Sequence, residues 1–412
     1  MKASRLFEGK KLAILTGGGD TAALNASIEA IKCRAAVLGY KVYGILKGWK
    51  GLLGDGDIVD LSGKPYDGWY GGTALLSSRT NPFPTKNNPQ NRVDQVLQNL
   101  KRYKIDVLVT IGGDDTNGAA KKLYEQEGIP VIGFPKTIDN DIRTRTFHDF
   151  DKENYETSLC PGFPSAAINI AEFTAKLRTT AESHSRILVL EIMGRDAGWL
   201  TGSAMYGGAK ISLIPEYEMT KENTERFFDK VKEMYNKCSK KYLLIAVAEG
   251  TKWYSEKTGK PERVCASSEI DEYGHNHLGG IAGVIASEIK KKTGIDARSQ
   301  VVGYYARAGE CSIYDKRFCN VLSDKVLDLL LREEYGKMPV LTNVSTYKEI
   351  EEYNCSTIDM GQIENFPLPD YFYNKNEFQF NNIYDNFLSH MIERPKKRFF
   401  DISFAKVIPD EI

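Results

Sequence analysis

The chain has 412 residues, enough for two or three domains and a large buried core. Lysine plus arginine equals aspartate plus glutamate at 55 each, so no global field draws the protein to nucleic acid or to a membrane surface, and anion binding falls to local clusters. Seven unpatterned cysteines argue against a disulfide framework or a structural zinc; with no signal-peptide core after Met1 and no run of about 18 apolar residues, the expectation is a cytoplasmic protein without a membrane span.

Strand and helix patterns alternate along the chain. Residues 12–15 predict a strand, 22–38 a helix, 42–45 a strand, 107–111 a strand, 117–126 a helix and 131–133 a strand. Further strands are predicted at 187–192, 211–214, 243–247 and 301–302, and amphipathic helices at 278–292 and 316–332. Alternation of this kind predicts an α/β architecture of two doubly wound, Rossmann-like units with largely parallel sheets. The polar stretch 143–164 reads as a crossing between the sheets. The tail from about 364 is rich in Asn, Tyr and Phe and predicts packing on the surface or at a subunit contact.

The polar motifs fall at strand ends, where open α/β sheets bind ligands. Thr16-Gly17-Gly18-Gly19-Asp20 is either a phosphate-cradling turn, with backbone N–H groups able to approach closely, or an ordinary tight strand–helix turn. It does not fit G-x-x-x-x-G-K-[ST]. In Gly112-Gly113-Asp114-Asp115-Thr116, one aspartate is a candidate magnesium ligand and one a candidate helix N-cap. Pro135-Lys136-Thr137-Ile138-Asp139-Asn140-Asp141 is the strongest signal: phosphoryl transfer to an alcohol needs a base near the hydroxyl and positive charge on the phosphate, against the plainer reading of a solvated turn. Met193-Gly194-Arg195-Asp196-Ala197-Gly198-Trp199 offers Arg195 as an anion grip or as a surface charge. Arg186, Arg298 and Arg307, with Tyr304 nearby, suit phosphate through the planar guanidinium fork, though each alone reads as a surface charge. His275 and His277, with only Cys265 nearby, read as a solvated loop rather than a metal site.

With these motifs the chain resembles the phosphofructokinases over residues 11–334. The resemblance lies in motif order: the glycine turn at 17–20, Gly71-Gly72-Thr73 with Ser78-Arg79, Gly112-Gly113-Asp114, Thr137-Ile138-Asp139-Asn140-Asp141, Met193-Gly194-Arg195, Glu249, and Gly303-Tyr304-Tyr305-Ala306-Arg307. It implies reversible, Mg2+-dependent transfer of a phosphoryl group to the 1-hydroxyl of fructose 6-phosphate, a step of glycolysis. By resemblance Asp139 is the base; Asp114, with Asp141, lies on the magnesium side; Thr137 and Arg195 stabilise the transferring group, and Lys136, as a catalytic residue, supplies a point charge for the donor phosphate. Glu249 and the Met193 backbone grip the sugar, while Tyr304 and Arg307, with Arg186 and Arg298 of a neighbouring subunit, hold the 6-phosphate. Gly18, Arg79 and Asp115 lie on the donor side. The implied domains are a donor-binding unit, 1–149 plus about 306–360, a sugar-phosphate-binding unit, 150–305, and an extension, 361–412; the implied assembly is a homodimer or homotetramer.

The family divides by donor. ATP users usually carry glycine where this chain has Asp115 and Lys136, and pyrophosphate users carry aspartate and lysine. An aspartate there crowds and repels a nucleotide α-phosphate, and a lysine neutralises pyrophosphate, so pyrophosphate is the implied donor. Tyr304, in place of the histidine usual in ATP users, leans the same way. ATP as donor and a silent sugar-phosphate-binding regulatory subunit are the alternatives. The chain departs from the family at Ala22-Ala23, at Pro161-Gly162-Phe163-Pro164-Ser165-Ala166 and at Ala308-Gly309-Glu310, which leaves a seven-carbon ketose phosphate open as an acceptor.

Overall fold

The computed structural model describes residues 6–63, 67–144, 159–270, 274, 276–344, 353–360, 363–365, 367–389 and 391–392. In chain order these form β1 (Lys11–Thr16), α1 (Leu24–Val37), β2 (Lys41–Ile45), β3 (Ile58–Asp60), α2 (Val93–Tyr103), β4 (Val107–Gly112), α3 (Asp114–Glu127), β5 (Val131–Pro135) and β6 (Ile142–Thr144). Then come α4 (Phe163–Ser183), β7 (Ile187–Ile192), α5 (Trp199–Ser203), β8 (Ile211–Leu213), α6 (Lys221–Lys237) and β9 (Leu243–Ala248). Two antiparallel ribbons follow, β10 (Lys252–Ser255) with β11 (Lys260–Arg263) and β12 (Cys265–Ile270) with β13 (Asn276–Leu278). The described chain ends with α7 (Ile281–Thr293), β14 (Ala297–Val301), α8 (Ile313–Arg332), β15 (Lys337–Val344), β16 (Tyr353–Asp359), β17 (Ile363–Asn365), β18 (Tyr373–Asn374), β19 (Gln379–Phe380) and α9 (Asn382–Leu388).

Alternate residues of β1 enter different cores: Leu12 and Ile14 one, Ala13 and Leu15 another. A strand with both faces buried belongs to a sheet covered by helices on both sides, which is why these strands read as unbroken apolar runs. The first sheet has the order β16-β15-β5-β4-β1-β2-β3 and is parallel except at its two edge strands, β3 and β16. The second, β14-β7-β9-β8, is parallel throughout. The fold is therefore the α/β, largely parallel arrangement read from the sequence.

One apolar cluster runs from Leu12 and Ile14 of β1 through Phe163 and Ile170 of α4 to Leu188, Leu190 and Ile192 of β7, joining the two sheets. From β1 the chain passes to β2 on one side and to β4 on the other, so the switch point lies between the ends of β1 and β4. Gly17 donates its N–H to the Ile111 carbonyl across it, at 2.9 Å. The Thr116 side chain fills this junction, and a Cβ on either Gly17 or Gly112 would come within 2.4 Å of it, so both positions exclude a side chain.

Several boundaries move. Neither Asp114 nor Asp115 caps α3: Gly113 is the N-cap, and both aspartates lie in the first turn, where negative charge meets the positive helix end. The helix expected at 278 starts at Ile281, because Leu278 ends β13, and the helix expected at 316 starts at Ile313, because the Ser312 hydroxyl accepts the Asp315 N–H at 3.2 Å. The strand expected at 301–302 is Ala297–Val301. Helices α2, α4, α5, α6 and α9 are additions to the sequence expectation. Within the crossing 143–164, residues 145–158 lie outside the described residues, as do 393–412 of the tail. The described part of the tail packs on the second sheet: Phe378 joins the cluster of β7, β8 and β9. No helix among the described residues is long and apolar enough to cross a membrane.

Candidate active site

The carboxyl ends of the two sheets face one cleft of about 350 Å³. From the first sheet, Gly18 follows β1, Asp114 and Asp115 follow β4, and Lys136 and Thr137 follow β5, with Arg79 on the loop after Gly72. From the second, Met193 and Arg195 follow β7, Glu249 follows β9, and Tyr304 and Arg307 follow β14. Asp139 and Asp141 line the cleft between the two groups. Of the residues given a catalytic or binding role from the sequence, all of them described, Arg186 and Arg298 do not line the cleft. Both lie beside Asp296, at 3.4 and 3.5 Å, and Arg298 is largely exposed on β14, the edge strand of its sheet.

The loop after β5 is fixed by its backbone. Lys136 N–H donates to the Gly112 carbonyl at 3.0 Å and Thr137 N–H to the Pro161 carbonyl at 3.2 Å. The Thr137 hydroxyl accepts the Asp139 N–H and donates to Asp141 Oδ1, each at 3.0 Å. Between the aspartates, Asn140 takes the left-handed conformation, φ 53°, which Asn tolerates better than most residues. Its buried side-chain carbonyl accepts the Cys160 N–H at 3.0 Å and so locks the reversal. Asp139 and Asp141 both line the cleft, close enough for the Asp141 charge to raise the Asp139 pKa.

Charge in the cleft is poorly screened. Burial pushes the Asp141 carboxyl up to about 6, with the Asp114 charge adding to it. Burial, then the charges of Asp141 and Glu249, hold Asp139 well above the usual carboxylate range, with Arg195 opposing them. Asp139 Oδ1 is buried without a hydrogen-bond partner, which is costly in a folded protein unless a bound group satisfies it. Burial, then the Arg307 charge, lowers the Lys136 ammonium to about 8, and its Nζ donates to a neutral group, the Gly19 carbonyl, at 2.6 Å. Arg307 is braced by Asp20, 3.0 Å from Nε, and lies over the Tyr304 ring at 4.6 Å. Arg195 donates to the Asn276 carbonyl at 3.3 Å.

Among the described residues no group of three or more His, Cys, Asp and Glu side chains forms a protein-made metal cage. The donor set still fits magnesium, which binds through one or two carboxylates plus substrate phosphates and keeps several waters. Asp114 supplies such a hard oxygen, close enough to Asp141 to raise its pKa.

The cleft also contains residues to which the sequence reading gave no site role. Asp196, beside Arg195, is paired with Arg263 at 2.5 Å. His277 and Leu278, at the end of β13, line the wall next to Arg195, so His277, read as part of a solvated loop, is exposed but stands on a strand at the cleft; nothing local marks it, because a long-range fold places it there. His275 lies outside the described residues.

A profile of the family described as Phosphofructokinase matches residues 11–330. The chain is 36% identical over 329 residues to a pyrophosphate--fructose 6-phosphate 1-phosphotransferase of Dictyoglomus thermophilum, covering 79% of this chain and 88% of that protein. It is 37% identical over 332 residues to an ATP-dependent 6-phosphofructokinase of Natranaerobius thermophilus, covering 80% and 88%. In fold it is similar to the crystal structure of a pyrophosphate-dependent phosphofructokinase from Nitrosospira multiformis, with TM-score 0.74 and 23% identity, covering 98% of this chain and 96% of that one.

Proposed function

The chain belongs to the phosphofructokinase family, and from that premise we propose that it is a phosphotransferase that moves a phosphoryl group from pyrophosphate to the 1-hydroxyl of fructose 6-phosphate. Relatives of similar identity are named for either donor, so the choice rests on the site. The observation that carries it is Lys136: a buried ammonium lining the same cleft as Asp115 and held by a carbonyl rather than a carboxylate. Its charge is left for a compact polyanion with no nucleoside to add binding surface.

In this reading Asp139 Oδ1 accepts the proton of the 1-hydroxyl as the sugar oxygen attacks the near phosphorus of pyrophosphate. The new O–P bond forms as the bridging P–O bond breaks, and inorganic phosphate leaves. Lys136 and Arg79 meet the charge on the leaving phosphate, and Thr137 and Arg195 that on the transferring group. Arg195 also offsets the like charges around Asp139, keeping the carboxylate available as a base. Asp114, with Asp141, would hold magnesium against the donor phosphates, where the ion supplies charge neutralisation. Glu249 and the Met193 backbone orient the sugar; Tyr304 and Arg307 bind its 6-phosphate. The first sheet with residues 306–360 then forms the donor half and residues 150–305 the acceptor half. Arg186 and Arg298, outside their own chain's cleft, serve the site of a second copy, which requires a homodimer or larger assembly.

The test is a donor panel with magnesium, using fructose 6-phosphate and sedoheptulose 7-phosphate as acceptors. The expected result is turnover with pyrophosphate and fructose 6-phosphate, running in both directions. Clear turnover with ATP and none with pyrophosphate would sink the donor assignment.

A further inference from the structure

The family match ends at residue 330, yet the segment around 368–388 is built into the back of the acceptor side. Its anchor is Glu216, just after β8. One oxygen, Oε1, accepts two backbone N–H groups: that of Gly198 at 2.9 Å and that of Leu368 at 2.6 Å. The first ends the loop that carries Met193 and Arg195; the second opens the tail segment. Burial raises the Glu216 pKa, and these two hydrogen bonds oppose the rise. Gly198 admits no side chain here, since a Cβ would come within 2.5 Å of Ile214 and 3.0 Å of Glu216 Oε2.

The next residue is gripped as well. Trp199, fully buried, packs edge-on against Phe372 with ring centroids 5.2 Å apart, and its carbonyl accepts the Tyr384 hydroxyl. Tyr206, just beyond α5, donates its hydroxyl to the Asp385 carbonyl at 2.7 Å. The tail also holds β8, through Ser212 N–H to the Phe378 carbonyl at 2.8 Å. None of the described tail residues lines the cleft, and the donor-side loops lie on the other sheet.

We infer that the segment 368–388 is a positioning element for the loop Met193–Gly198, with Glu216 the positioning residue through which it acts. The inference rests on the assignment of that loop to the sugar-phosphate side. Its front is held by the Arg195 contact to Asn276 and by the Asp196–Arg263 pair, and its back by Glu216 and the tail. Loss of the rear clamp lets the loop relax away from the sugar and carries Arg195 with it, so kcat falls as well, while Lys136 and Arg79, which hold the leaving end of the donor from the other sheet, are untouched. The signature is therefore one-sided.

Glu216→Ala in the full chain is expected to weaken fructose 6-phosphate binding, read calorimetrically, by about five- to tenfold, the loss that follows from removing one or two such hydrogen bonds, while KM for pyrophosphate stays within about twofold. Glu216→Gln keeps a carbonyl where Oε1 stands and is expected to restore acceptor affinity to within about twofold. Tyr384→Phe keeps the ring packing and removes only the hydroxyl; it covers the case in which the alanine variant fails to fold, and is expected to weaken acceptor binding about two- to threefold. An unmoved acceptor affinity in the folded variants, an equal loss on both substrates, or a glutamine variant as weak as alanine would overturn the inference. A wild-type protein that binds no fructose 6-phosphate would refute the functional reading itself.

Discussion

Asp139 combines a buried, unpartnered oxygen with a raised pKa, the two properties expected of a base held ready for a hydroxyl. Asp139→Ala is expected to lower kcat by about three orders of magnitude or more while calorimetry still detects fructose 6-phosphate binding, because the phosphate grip is elsewhere. Lys136 gives a pH test. Its value in the fold, about 8, lies below the ordinary 10.5, so between these limits the unfolded chain carries the extra proton. The stability contribution of this group therefore rises with pH across that window, and its destabilising effect is fully present below it. Donor binding runs the other way: as Lys136 loses its proton, kcat/KM for pyrophosphate is expected to fall as pH passes about 8. Lys136→Arg, which stays charged, is expected to flatten that limb in a pH–rate profile. Most of these residues were legible in the sequence because their chemistry is packed into short strand-end motifs. The roles of Glu216 and the place of His277 in the cleft wall were not, since both are set by residues far away in the chain, which no local pattern encodes.

At the level of elements, the catalytic loop is held through helix ends. α4 has no side-chain cap of its own; Asp315, on the first turn of α8, accepts the N–H groups of Gly162 and Ser165 at 2.7 and 2.9 Å, and the Ser165 hydroxyl. The same turn, through Pro161 and Cys160, holds Thr137 and Asn140. Asp315→Ala leaves buried donors unmet and is expected to destabilise the protein by about 2–4 kcal/mol, seen as a lower urea midpoint. Asp315→Asn, which keeps one acceptor, is expected to lie between the two. This cap explains part of the mismatch between expectation and structure. A helix capped from 150 residues away gives no local start signal, so α4 was missed, whereas β1, β4 and β5 announce themselves as apolar runs because both faces are buried. The ribbons β10 to β13, half-exposed and short, have no such runs.

For the whole molecule, the proposal that Arg186 and Arg298, which stand outside their own cleft, serve the site of a second copy can be tested directly. The expected outcome is subunit complementation. Asp139→Ala and Arg298→Ala proteins, inactive or weak alone, should regain activity when mixed under conditions of subunit exchange. One site of each hybrid then combines an intact Asp139 with an intact partner Arg298. If Arg298 served its own chain, mixing would add nothing. The order of the first sheet has a different consequence. β5 pairs with β15, not with a strand made soon after it. From Pro135 to Lys337 the ribosome must add roughly 200 residues, about 10–40 s at ~5–20 residues per second. Until then the nascent chain carries an open, apolar sheet edge, the kind of surface that templates aggregation. The second sheet, contiguous from β7 to β14, can complete itself first. The strands of the later-encoded sheet can therefore all be paired before the earlier sheet is closed, with the tail that packs on them added last, and the interval before Lys337 is when a folding helper would matter most.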